Sequence, residues 1–337
     1  MKKYLYLTFV LNNMYYEQVQ FIFLIRFIMN PNLIGSLTWI IFIFLSLFTH
    51  IIIKSLTGEV DFIITIFSRF VFSLPVLFIL AYLARKELFL QINNWRNVLL
   101  RSFFGFVTMI MVFSSLQLIP IGLTTALAQS SAIFVTILSP FILGEKIGLI
   151  RWAAVIFGLL GVYLMIDPTS IVKSTSNLST LGLTLAFCSA ITHAILALIL
   201  RKLGKSEHPS STALIHNLIT SITIVLAIVF FGTKFYGKTG DFGIEVLITP
   251  NMVLLSLIVL GFVGSFVQYL MAVSYKYAEA TILVTLRYLA IPLATTLGYI
   301  IWNEVPTTNQ IYGGLIVIGS CLLITVREMK KKKTIIE

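Results

Sequence analysis

Apolar and polar positions alternate along this chain in long blocks. Ten apolar runs of about 20 residues stand out, the length at which an α-helix crosses roughly 30 Å of hydrocarbon. They cover 34–54, 62–83, 98–118, 124–143, 152–167, 181–200, 212–232, 253–275, 281–301 and 310–326. Charged and turn-forming clusters separate them: TGEVD at 57–61, RKE at 85–87, GEK at 144–146, RKLGKSEHPSS at 201–211 and NEVPTTN at 303–309. The pattern predicts an all-α polytopic membrane protein with ten transmembrane helices. Residues 1–28 break the pattern, because Asn12, Asn13, Glu17 and Arg26 interrupt the apolar stretch and no small-residue cleavage site follows. They are expected to be an interfacial tail or a product of start-site choice, since Met29 followed by Asn-Pro-Asn offers a second start.

Composition supports the bilayer as the solvent. Hydrophobic residues make up 58% and charged ones 11%, and the mean hydropathy is +0.99, more apolar surface than a water-soluble domain could hide in one core. The net charge of +11 does not point to nucleic acid, since no polar domain gathers the basic residues. Loop orientation accounts for it. With the amino terminus placed inside, 18 Lys and Arg residues fall in the tails and even-numbered loops and 4 in the odd ones, which by the positive-inside rule puts both termini in the cytoplasm of a multi-pass inner-membrane protein. Arg69 and Arg287 remain, both inside spans.

The chain also repeats itself. Residues 130–166 and 287–325 share one plan: a proline-containing apolar span, Gly or Asn before a glutamate (Glu145, Glu304), a short polar loop and a Gly-containing last span. Five spans per half is an odd number, so the second half runs the opposite way. The expected organisation is a 5+5 inverted repeat, with halves at 29–168 and 178–326 and a basic cytoplasmic tail at 327–337.

Spans closed by GEK or NE and followed by a Gly-rich helix resemble the EamA-type permeases of the drug/metabolite transporter superfamily. The resemblance covers residues 34–326. Within that superfamily, FSRFVFSLP (67–75) and LRYLAIPLATTLGYIIWNE (286–304) are similar to the second and ninth helices of a subgroup that includes bacterial S-adenosylmethionine uptake transporters. It implies a secondary permease for a small polar metabolite, with S-adenosylmethionine as the leading cargo and amino acids or other carboxylated metabolites as the alternative.

The two intramembrane arginines carry the candidate chemistry. Arg287 lies about 6 Å from the centre of the ninth span, and even lenient scales charge about 2.5–3.5 kcal/mol for a central arginine. Such a residue is expected to face a polar cavity. One reading makes each arginine a packing device for carbonyls freed by Pro75 or Pro292. The other makes Arg287, with Tyr288 beside it and Arg69 across the cavity, a forked clamp on a substrate carboxylate, with Gln129 adding a neutral polar contact from the repeat-equivalent place on the fourth span. His193, midway along the sixth span, is either a proton carrier or a neutral inter-helix partner; His50 and His216 lie nearer span ends. Tyr269 belongs, with Trp39, Tyr163 and Trp302, to aromatics that could stack on a planar ligand or serve lipid and packing. Glu145 and Glu304, at helix ends, are expected to close helix pairs rather than carry protons.

No phosphate-cradling loop, GxSxG elbow or HExxH pair occurs in the sequence, which argues against an ATP-driven pump and leaves a membrane enzyme without a recognisable motif as the reading from another class. Cys188 and Cys321 sit in apolar runs as small hydrophobes. No cofactor, metal or nucleic acid is expected. The partners are the bilayer and a small-molecule substrate, with a homodimer left open.

Overall fold

The computed structural model describes residues 31–143, 149–166, 178–248, 251–278, 283 and 286–336. The described residues are all-helical, with two isolated β-bridges and no strand. In chain order the α-helices are α1 (Pro31–Ser55), α2 (Phe62–Val71), α3 (Leu74–Arg85), α4 (Trp95–Leu116), α5 (Ile121–Gln129), α6 (Ser131–Leu143), α7 (Leu149–Ile166), α8 (Thr180–Ser206), α9 (Pro209–Phe231), α10 (Met252–Tyr277), α11 (Ala290–Trp302) and α12 (Thr308–Ile336). Seven helical stretches among the described residues are long and apolar enough to cross a bilayer, and Trp152–Ile166 and Ala290–Trp302 are shorter apolar helices. The outer faces carry large exposed hydrophobics such as Leu83, Leu149, Phe230 and Ile300, the surface expected against lipid.

Local chemistry sets the boundaries. Asn94, Ser179 and Asn251 cap α4, α8 and α10 by accepting from the backbone N–H three residues on, and Pro209 opens α9 where its missing N–H has no partner to lose. The second span divides at Phe72–Ser73, two residues before Pro75, which cannot donate into the ladder. There Ser73 Oγ donates to the Phe70 carbonyl at 2.6 Å and to Asn217 Oδ1 at 2.8 Å. The fourth span divides at Ser130 and the ninth at Tyr288–Leu289. These two breaks are separated by the same interval as Glu145 and Glu304.

The helices pack α7 on α12, α4 on α8, α1 on α10, α5 on α11, and α2 and α3 on α9. At the first contact, a Cβ on Gly161 would fall 2.8 Å from the Gly313 carbonyl oxygen, so only glycine lets the two backbones meet. Beyond residue 326, where the last apolar run stops, α12 continues as helix to Ile336.

Candidate functional site

Between the two halves lies a cavity of ≈ 130 Å³, well above the roughly 10–15 Å³ that one water needs. Helical spacing builds its walls. From α1 come Phe42, Ser46, Thr49 and His50; from α4, Arg101, Gly105, Thr108 and Val112; from α5, Thr125 and Gln129; from α8, His193 and Leu196. His216 of α9, Gln268 of α10 and Arg287 complete the polar lining. Three of the chain's four histidines are therefore here. No Asp or Glu is among the described lining residues. Five buried polar atoms on the wall have no hydrogen-bond partner: His50 Nδ1, Arg101 Nε, Thr125 Oγ1, Gln129 Oε1 and His216 Nδ1. Orphans of this kind are costly in a dry interior and mark a place that water or a polar ligand fills.

Arg287 stands at the break in the ninth span, and its guanidinium reaches the break in the fourth. Nη1 donates to Ser131 Oγ at 2.9 Å, and Nη2 lies 2.8 and 2.9 Å from the two ring nitrogens of His193. A guanidinium donates only to a ring nitrogen with a free lone pair, so this contact requires a neutral imidazole. Arg287, Gln129 and His193 are thus brought together on one cavity, with Ser131 as a partner that the sequence did not single out.

Three other candidates are not on it. Arg69 is fully buried but does not line the cavity. It projects from α2 toward α10, where a Cβ on Gly264 would lie 2.1 Å from its guanidinium carbon, and it sits 5.6 Å from the Phe70 ring centroid. Its three nitrogens have no hydrogen-bond partner. Arg69 therefore neither crosses the cavity toward Arg287 nor satisfies carbonyls freed by Pro75, because the rotation of α2 turns it into the α2–α10 seam. Tyr288, one residue past Arg287, turns the other way and packs with Val155, Val162 and Ile291. Tyr269 packs beside Leu77 and Leu214. Of the other aromatics, Trp39 is buried against Phe42 and Tyr275 and Tyr163 is exposed.

Arg101 is the site residue that sequence reading placed elsewhere, as a loop charge. It lies in the run at 98–118 yet was counted with the charges before it; it is 2% exposed on the buried side of α4. A face of Arg101, Gly105 and Thr108 at helical spacing was the available signal.

Outside the cavity, acids fasten the helix ends. Asn303 adopts the left-handed conformation (φ 53°) that ends α11, which Asn and Gly tolerate best. The turn sends Glu304 back to α5, where its Oε2 accepts from the Ile121 N–H at 3.0 Å. Its Oε1 pairs with Lys54, and Lys54 Nζ also donates to the Ile119 carbonyl at 3.0 Å. Glu145 lies outside the described residues. Asp61, unremarked in the sequence, accepts from Thr233 Oγ1 at 2.8 Å and the Gly240 N–H at 3.0 Å. On the opposite face Glu207 accepts from the backbone N–H groups of Asn93 and Asn94. A second cavity of ≈ 340 Å³ between α5, α7, α11 and α12 has Glu304 and Gln310 among a mainly apolar lining.

Comparison with known proteins adds kinship to this geometry. The model of the EamA-like transporter family matches residues 33–167 and again 180–326. An S-adenosylmethionine uptake transporter of Rickettsia prowazekii is 28% identical over 217 residues, 64% of this chain and 66% of that protein. A riboflavin transporter of Vibrio cholerae is 26% identical over 268 residues, 78% of this chain and 83% of that one. A pseudopaline exporter, CntI, of Pseudomonas aeruginosa is 23% identical over 228 residues, 68% and 74%. The matched segment thus spans about two thirds of the Rickettsia relative's length. A solved structure described only as the crystal structure of a protein shares the fold, with a TM-score of 0.60 at 17% identity, covering 87% of this chain and 96% of that one.

Proposed function

The chain belongs to the EamA-like transporter family, whose model it matches twice along its length, and from that premise we propose a secondary permease that carries a small carboxylate-bearing metabolite across a bacterial inner membrane. The observation that carries this reading is Arg287 at a helix break, its fork spread between Ser131 and His193 on a cavity with unpartnered polar atoms. Broken helices that meet near mid-membrane are where transporters of inverted-repeat design hold substrate. A carboxylate can replace Ser131 and His193 as the acceptor of two parallel N–H bonds.

S-adenosylmethionine is the leading cargo by kinship with the Rickettsia protein. Its carboxylate would take Arg287, and Phe42 and Phe113 on the wall offer faces to its adenine and sulfonium. A second reading, an amino acid or other carboxylated metabolite without a permanent cation, is favoured by the lining itself. Two arginines and no acid among the described lining residues suit a cargo less positive than S-adenosylmethionine. Uptake of labelled S-adenosylmethionine by expressing cells, with amino acids and nucleosides as competitors, separates them. Uptake above empty-vector cells that amino acids do not suppress supports the first. No uptake of the label, with uptake of a labelled competitor, supports the second.

The transport cycle proposed is alternating access of two five-span halves of opposite sense. In its support, Lys54 at the end of α1 and the loops holding Asp61, Gln117 and Glu304 meet on one face, while Asn93 and Glu207 meet on the other, as alternate crossings require. The count of basic residues supports a cytoplasmic Glu207 face; Arg101, now inside the bundle, drops out of that count without reversing it. In intact cells with Cys188 and Cys321 replaced, Thr307→Cys is expected to react with an impermeant thiol reagent and Ser206→Cys is not. The reverse labelling would overturn the orientation.

A further inference from the structure

The polar groups of the cavity fall into two clusters on different helices. One is Arg287 with Ser131 and His193. The other lies on α4, α9 and α10, around Arg101. There Arg101 Nη1 donates to the Thr212 carbonyl at 2.9 Å. Nη2 lies 3.5 Å from Gln268 Oε1, the outer limit of a hydrogen bond, and Nε has no partner. The Gln268 amide nitrogen has Met109 Sδ at 3.6 Å, a weak acceptor. The His216 ring is seated against Gly105, where a Cβ would fall 3.0 Å from its Cε1, and its Nδ1 is unpartnered. A structural arginine hands its donors to carbonyls or carboxylates. Of the three nitrogens of Arg101 one is paired well, a second poorly and the third not at all, and no acid among the described residues lines the cavity to balance it. A buried guanidinium left this way is strongly unfavourable until an anion or acceptor reaches it.

We propose that Arg101, with Gln268 and His216, is a second acceptor-binding pole, so that the cargo presents an electronegative group at both ends: a carboxylate to Arg287 and a second carboxylate, or the acceptor edge of a nucleobase, to Arg101. This rests on the carboxylate reading of the Arg287 site and narrows it to two-ended molecules. Each pole draws on helices from both halves, α4 with α9 and α10, and α6 with α8 and Arg287. Bound cargo therefore ties the halves together through both poles, and a one-ended molecule engages only one of them.

The test is equilibrium binding to the purified full chain in detergent, by thermal shift and radioligand displacement. The paired probes are S-adenosylmethionine against methionine, and straight-chain dicarboxylates from succinate to pimelate against the monocarboxylates of equal length. Within at least one pair the two-ended probe is expected to bind about tenfold tighter, the value of one charge-assisted bond. The nucleobase pair or the dicarboxylate pair showing the gap identifies the far group. Arg101→Gln is expected to bring that ratio close to one, while Arg101→Lys, which keeps the charge and loses the fork, retains part of it. Should Arg101→Gln not fold, Gln268→Leu reads the same ratio from the opposite wall and is expected to lower it. An unchanged ratio in a folded Arg101→Gln or Gln268→Leu protein overturns the second pole and leaves the Arg287 reading standing. No binding by any probe removes the carboxylate reading, and the pole with it.

Discussion

Arg287→Lys is expected to reach the membrane at normal abundance and to lose uptake by on the order of tenfold or more, and Arg287→Gln to lose as much. Nη1 and Nη2 diverge to acceptors on two different helices, Ser131 on α6 and His193 on α8. An ammonium is a single point on a flexible stem and cannot copy the planar fork that a carboxylate needs; one charge-assisted hydrogen bond lost accounts for the factor. Arg69→Met is the contrasting variant. Arg69 is buried even more completely, lies off the cavity and has no hydrogen-bond partner, and replacing a buried unpaired charge by an apolar side chain of similar length is often neutral or stabilising. It is expected to keep uptake within about twofold and to unfold no earlier than the parent. Full uptake in both Arg287 variants at normal abundance would return that residue to a packing role. Loss of uptake in a stable, abundant Arg69→Met would place Arg69 on the transport path.

The second large effect is at Glu304, where charge exchange is expected to fail. Glu304→Ala should cost about 1–3 kcal/mol, read as a lower unfolding midpoint, because it strands the Ile121 N–H and takes the counter-charge from Lys54, leaving it the Ile119 carbonyl. Glu304→Gln keeps an acceptor for Ile121 and should fall between parent and Ala. The reversed pair, Lys54→Glu with Glu304→Lys, restores opposite charges but cannot restore the contacts. A lysine has nothing to accept the Ile121 N–H, and a glutamate cannot donate to the Ile119 carbonyl. Recovery of the parent midpoint by the reversed pair would mean that the attraction is Coulombic alone.

These expectations show what was legible before any coordinates. The spans could be read because a chain in lipid must satisfy its backbone internally, and long apolar runs leave helix as the solution. The Asn before Glu304 was legible as a turn for the same local reason that Asn303 tolerates a positive φ. The break at Ser130 was not, since neither Pro nor Gly announces it. Direction around a helix was the larger loss. A residue's depth follows from counting, but its facing depends on which neighbour the helix packs against, and each step along the chain turns the side chain by about 100°. Hence Arg69 and Tyr288, at plausible depths, face seams rather than the cavity. Arg101 was hidden differently: it follows Arg85, Lys86 and Arg96 and counts with those loop charges, although the run at 98–118 already contains it and α4 carries it into the bundle.

The central claim is that cargo is held by its carboxylate at Arg287, and counterflow in proteoliposomes tests it most directly. Vesicles containing the purified protein and loaded with unlabelled S-adenosylmethionine should accumulate the labelled compound, and external S-adenosylmethionine should compete while its decarboxylated analogue, which keeps the sulfonium and the adenosine, should not. Equal competition by the decarboxylated analogue would contradict the account.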